Sequence, residues 1–309
     1  MRYVSLHHHS TFSYGDGYGL PKEHVERCAF LGMTAMALTE HGNTSSHASL
    51  EKACKDHGIK PIFGLEGYVA PPEQRRKCHQ TILAMNQIGY ANLNRLVSQS
   101  WRDFYQWPTI HLEWLKEYNE GLIVLSGCAD STLACTLLGG KYFGDKQTWN
   151  IVPKANYDSA VRLVEWYQSV FGDRYYLECQ RFPGLDRTRT LNYYAGKLSH
   201  DTGVGLVATS DCHYVFARDN EMQKILHASH RASSVSQVEA SWEYDVTLDI
   251  PQSDEQVVED LVGTDMSTID AYTAVENTAY IAERCNVVLP KVDPIVYPIS
   301  EEDWAESWC

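Results

Sequence analysis

His7 and His9 stand two residues apart in the opening stretch RYVSLHHHS, and Asp211 and His213 repeat that spacing in LVATSDCHY. In an extended segment alternate side chains share a face, so each pair turns two donors to one side. Between them in the chain, His41, Glu66 and Cys128 each follow a short apolar run, His79 begins one, and Asp16 sits in the glycine-framed loop YGDGYG. Imidazoles, carboxylates and one thiolate arriving from successive strand ends are the donor set that a cluster of Zn, Mn or Fe ions requires. Taken singly, each has a plainer role as a polar segment, a turn, a solvated acid or a small buried hydrophobe. Their shared position beside strand-like runs is what singles them out. His24 and His57 in helical patterns, His227 and His230 three apart on a late helix, and His111 and His200 on the surface do not share it, and His8 is expected to point away from its neighbours.

The elements that must carry these groups alternate along the chain. Strand-like runs at 3–7, 34–38, 60–63, 80–85, 121–126, 175–179 and 204–209 are separated by helical patterns at 46–57, 92–104, 130–138, 156–171 and 187–201. An earlier helix opens at Pro21 and buries Val25, Cys28 and Ala29. About seven strands alternating with helices predict an α/β fold, either a parallel barrel or a doubly wound sheet. A barrel would gather active residues at the carboxyl ends of its strands. Beyond residue 230 the pattern changes: 231–248 is polar without a clear period, 253–261 and 267–285 read as helices, and the end is rich in proline and acids.

Composition narrows the function classes. A length of 309 residues with 44% apolar content can fill a substantial core, and no apolar run approaches the roughly 18 to 20 residues that cross a bilayer. Nine cysteines, an odd number without a C-x-x-C pair, argue against a disulfide framework, and the chain reads as a soluble cytoplasmic protein with no membrane partner. The net charge of -14 argues against coating nucleic acid by electrostatics alone, so an anionic substrate would need bound metal, or a local basic patch, to approach.

Seven ordered stretches carry a family resemblance. SLHHHSTFSYGDG, ALTEHGN and KPIFGLEGYVAP resemble the first three motifs of the PHP (polymerase and histidinol phosphatase) family. HQTILAMNQIGYANLNRLVS, EGLIVLSGC, YYLECQ and LVATSDCHY continue in the order seen in the polymerase branch, the PHP domains of bacterial-type DNA polymerase III alpha subunits. The resemblance spans residues 3 to about 230, and TAVENTAYIAERCNVVLPK resembles the segment that leads to a polymerase palm. It implies a distorted seven-stranded (β/α)7 barrel over 1–230 with a small helical appendage in an extension at 231–309. It also implies that His7, His9, Asp16, His41, Glu66, His79, Cys128, Asp211 and His213 bind two to three divalent ions. Glu40 stands where the family usually has Asp, a change that would act on the outer contacts of the site.

The implied activity is metal-dependent hydrolysis of phosphate esters, with Glu66 bridging ions and Asp211 and His213 helping to move a proton. The polymerase branch implies a 3'-to-5' exonuclease acting on DNA ends, with a replicative polymerase as partner or parent chain and no polymerase activity from this chain alone. A phosphatase for small phosphomonoesters and a non-catalytic module of a polymerase are the alternatives. Arg75, Arg76, Lys77 and Arg181 are the candidate backbone contacts, and Trp101, Tyr105 and Trp107 the candidate stacking surfaces.

Overall fold

Period-two patterning sends the two faces of each strand into different surroundings. In β1 (Ala35–Leu38), Ala35 and Ala37 join a small inner cluster while Met36 and Leu38 join the larger outer core. Strand β5 (Leu122–Leu125) divides in the same way, with Ile123 and Leu125 inside and Leu122 and Val124 outside. The computed structural model describes residues 2–70, 78–139, 152–240 and 246–291.

The strands form one curled sheet in the order β1, β2 (Lys60–Ala70), β3 (Cys78–Ala84), β5, β6 (Tyr175–Gln180) and β7 (Gly205–Thr209). A short β4 (Thr109–His111), absent from the expected set, pairs with the far end of β2. The pairs β1/β2, β5/β6 and β6/β7 are parallel, but β3 runs antiparallel to both β2 and β5. That reversal makes the sheet mixed, one of the distortions of the expected barrel: no helix lies between β2 and β3 among the described residues.

The run at 3–7, expected as the first strand, makes only isolated bridges, Ser5 to Met36 beside β1 and, just after it, His8 to Cys212 beyond β7. Side chains take the amides that a ladder would use: Tyr3 N–H donates to Asp254 at 2.9 Å, Val4 N–H to Thr278 Oγ1 at 2.9 Å and His8 N–H to Thr39 Oγ1 at 2.9 Å. Residues 5–9 nevertheless lie across the gap between the β1 and β7 edges and draw the sheet into a distorted barrel.

Helices cover the outside, among them α3 (Gln87–Arg102), α6 (Lys154–Phe171) and α7 (Asp186–Thr202). Beyond residue 230, α10 (Asp254–Val262) and α11 (Thr268–Arg284) contribute Val257, Leu261, Ala271 and Ala274 to the outer core, and Ile281, Ala282 and Cys285 to the inner one. Among the described residues no helix is long and apolar enough to cross a membrane.

Candidate metal centre

Along the inner strand faces the side chains change from apolar to polar in one step. Leu83 gives way to Thr81, Tyr176 to Glu178 and Val207 to Thr209, each two residues further towards the same end of the barrel. This layer is buried, and Glu178 organises it. Its carboxylate accepts from Thr209 Oγ1 at 2.7 Å, Thr81 Oγ1 at 3.0 Å, Gly127 N–H at 3.2 Å and His7 Nδ1–H at 2.6 Å. Gly127 has φ +84°, and a Cβ there would lie 2.4 Å from the carbonyl oxygen of His79, so only glycine brings this amide to Glu178.

Burial opposes charge on His7, yet the Asp211, Glu178 and Glu66 carboxylates outweigh it and hold its pKa well above the usual range. With Nδ1–H committed to Glu178, it is Nε2 that can exchange a proton for a cation in the cavity. The Nδ1 of His9 is committed in the same way. Ser13 Oγ donates to Glu40 at 2.5 Å and accepts from His9 Nδ1–H at 2.8 Å, which leaves His9 Nε2 bare. His213 Nδ1–H donates to the carbonyl of Asp211 at 2.8 Å, and Asp211 itself takes φ +43°, a conformation that aspartate tolerates better than most residues. Glu40, beneath the cavity and bonded also to Ser10, holds an outer position as expected.

The nine expected donors meet in one place. His7 Nε2 lies 3.2 Å from Glu66 and 3.3 Å from Asp211, and His9 Nε2 lies 3.5 and 3.4 Å from the same two carboxylates. His41 Nδ1 approaches Glu66 to 2.6 Å and His79 Nδ1 to 3.1 Å, while Asp16 lies 3.0 Å from His41 and 3.5 Å from His213. Cys128 Sγ is 3.6 Å from His79 Nδ1. Three overlapping triads bring one donor atom from each member within 4.8 Å of the others: His7, His9 and Asp211; His9, His41 and His213; His41, Glu66 and His79.

The electrostatics explain what such a cluster lacks. His7 Nε2, His9 Nε2, His41 Nδ1, both Glu66 oxygens and Asp211 Oδ1 are buried and have no hydrogen-bond partner despite their proximity. Buried polar atoms are normally paired, and lone pairs that face one another repel unless a cation or a proton lies between them. Burial opposes charge on His213, yet the Asp16 and Asp211 carboxylates outweigh it and push its imidazolium up to about 9. Burial, with His41 and His213 alongside, pushes His9 down to about 3, so it is a neutral nitrogen donor. Burial and the neighbouring Glu66 and Asp211 carboxylates hold the Cys128 thiol well above its usual range, so a thiolate there needs a cation beside it. The donor types, their bare atoms and their spacing fit divalent ions.

Some site residues lie outside the expected set. His227, read as structural, reaches over from α8 (Asn220–His230) to put Nε2 2.5 Å from Asp16, where Gln223 Nε2 also donates at 3.1 Å. Gln180 Nε2 donates to Asp211 at 3.0 Å. Arg181 goes the other way: it is buried, with its guanidinium on Asp249 at 2.9 Å, Asp260 at 2.9 Å and Ser210 at 3.2 Å, so the expected backbone contact is corrected to an internal ion-pair network. Arg75, Arg76 and Lys77 lie outside the described residues. His8 turns away as expected, its ring bonded to Ser5 at 2.9 Å and to His24 at 2.6 Å.

The cluster forms the floor of an open cavity of about 1250 Å³. Asp16, Glu66, Asp130 and Asp211 reach its wall, and among the described lining residues Arg231 is the only lysine or arginine. Phe12, Tyr68, Trp101, Phe104 and Trp107 add aromatic surface.

Comparison with known proteins adds the lineage. DNA polymerase III subunit alpha of Borreliella burgdorferi is 30% identical over 295 residues, covering 92% of this chain and 24% of the relative. The same subunit of Treponema pallidum is 32% identical over 315 residues, covering 98% of this chain and 25% of the relative. The chain thus spans about a quarter of the length of these relatives. A solved amidohydrolase from Chromobacterium violaceum is 17% identical and overlays with a TM-score of 0.44, covering 68% of this chain and 87% of that one. The family model described as PHP domain matches residues 5–182, more than half of the chain, and with that match the chain belongs to the PHP domain family.

Proposed function

We propose that this chain hydrolyses phosphate esters with the help of divalent cations, and that its substrate is the 3' end of a DNA strand. The observation that carries this reading is the set of buried, unpartnered donor atoms around Glu66 and Asp211, in a cavity whose acidic wall would otherwise repel a phosphate. His7, His9, Asp16, His41, Glu66, His79, Cys128, Asp211 and His213 would hold two to three ions of Zn, Mn or Fe. Bound there, such ions supply Lewis acidity towards phosphoryl oxygens and make water a stronger acid.

In this reading Glu178 and the Ser13–Glu40 pair keep His7 and His9 in the tautomer with a bare Nε2. Asp211, through a carboxylate oxygen that an ion leaves free and with His213 beside it, would help to pass a proton to the departing oxygen. The names of the relatives support a polymerase setting, with a replicative polymerase as parent chain or partner.

The test is release of mononucleotides from an end-labelled oligonucleotide, run beside phosphate release from p-nitrophenyl phosphate, with Mn or Zn added. The reading expects cation-dependent release from the 3' end. Turnover of the monoester alone would move the substrate to small phosphomonoesters, and turnover of neither would leave a non-catalytic module.

A further inference from the structure

Residues 101–107, WRDFYQW, run from the last turn of α3 into the segment beyond it and form a stretch of exposed positions at the mouth of the cavity. Trp101 is 51% exposed and Phe104 50% exposed, and both line the cavity. Their rings are parallel to within 10°, with centroids 5.4 Å apart. Rings of this size normally go into the core, so an exposed pair on a cavity wall is a surface that gains by being covered.

The indole is held rather than loose. Trp101 Nε1–H donates to the carbonyl of Gly42 at 2.8 Å, which satisfies its polar atom and ties the ring to the residue after His41. From His41 an aromatic wall leads outwards: the His41 and Tyr68 rings are 6.1 Å apart at 19°, and Tyr68 and Trp107 are 5.3 Å apart. One cavity therefore joins a cluster suited to cations and phosphate to flat, fixed, uncharged rings. A nucleotide has the matching parts, a phosphate for one end and a flat base for the other. In a chain with net charge -14, stacking is also a way to hold a strand without a basic groove.

We propose that Trp101 and Phe104 form a stacking surface for an unpaired base of a nucleic-acid strand whose phosphate lies at the cluster. This rests on the phosphoesterase reading for the position of the phosphate. Base stacking requires the base to be out of a duplex, so the surface selects single-stranded or frayed ends.

Binding tests it independently of turnover. A labelled thymidine oligomer of roughly twelve nucleotides, made resistant to hydrolysis by phosphorothioate linkages, is compared by fluorescence anisotropy with an abasic oligomer of the same length and charge, with Mn present. The protein is expected to bind the thymidine oligomer on the order of tenfold more tightly. Trp101→Ala and the milder Phe104→Leu, which keeps apolar bulk, should each bring the two affinities together while the circular dichroism spectrum stays that of the parent. Equal binding of both oligomers by the parent protein, no binding of either, or a preference that survives both substitutions would overturn the proposal. A base-dependent preference here, together with no nucleotide release from the unmodified oligonucleotide of the turnover assay, would keep the stacking surface and sink the hydrolase.

Discussion

Glu178 and His7 meet at 2.6 Å on the closed side of the barrel, with Nδ1–H donating to a carboxylate that also receives two threonine hydroxyls and one amide. The carboxylate fixes both the tautomer and the plane of the imidazole, and outer partners of this kind typically change metal affinity by about 10- to 100-fold. Glu178→Gln should weaken Mn or Zn binding by that factor, measured by calorimetric titration. Unaltered affinity would mean that His7 is oriented by other contacts.

Substitutions in the cluster itself should cost more than that outer-partner range of roughly 100-fold. His9→Ala and Asp211→Asn are each expected to abolish ester turnover and lower the metal retained through gel filtration, with the far-UV spectrum preserved. Dialysis against a chelator should have the same effect on the parent protein, reversed by adding back Mn or Zn. Turnover that persists in a metal-depleted variant would refute the assignment of these residues.

Arg181 separates two roles cleanly. Removing it leaves Asp249 and Asp260 facing one another without their cation, and breaking a buried pair costs about 3 to 5 kcal/mol. Arg181→Ala should lower the urea midpoint accordingly. Were stability unchanged and the KM for oligonucleotide raised, the side chain would be a strand contact after all.

His47 provides a pH signature away from the cluster. It is buried against Phe63, with Nε2 2.9 Å from the carbonyl of Gly64, and burial pushes its pKa down to about 4. A lowered folded value means that the unfolded chain takes up the proton first. The contribution is therefore complete above the unfolded value of about 6.5 and is lost as pH falls from there towards 4, reaching about 2 kcal/mol by pH 5. Urea unfolding at pH 7.5 and pH 5 should reveal this loss, and His47→Gln should reduce it. An identical pH dependence in the variant would exclude His47 as its source.

Local pattern made part of this legible. Thr39, Glu40 and His41 follow the buried run AMAL, and Asp211 and His213 follow GLVAT, so strand ends could be found from hydrophobicity and the donors counted off from them. Glu178 was open to the same logic, because a glutamate alternating with Tyr176 inside YYLECQ must face inwards; the expectation that site residues follow strands passed over one lying within a strand. His227 had no such signal. It lies 211 residues from Asp16, and a helix period alone does not reveal which wall the helix forms. The charge of Arg181 was misread because its partners lie 68 and 79 residues further on. The first strand failed as a ladder because Asp254, Thr278 and Thr39 claim its amides, a competition that no local window contains.

The clamp on the opening segment also bears on the order of synthesis. His7 and His9 are made some 240 residues or more before Asp254 and Thr278, yet the amides of Tyr3 and Val4 in the same opening segment find their acceptors on those two residues. During translation the nascent chain must carry its histidines untethered until almost the whole of this region has emerged. The histidines that begin the site are held only once the acceptors of α10 and α11 have followed them.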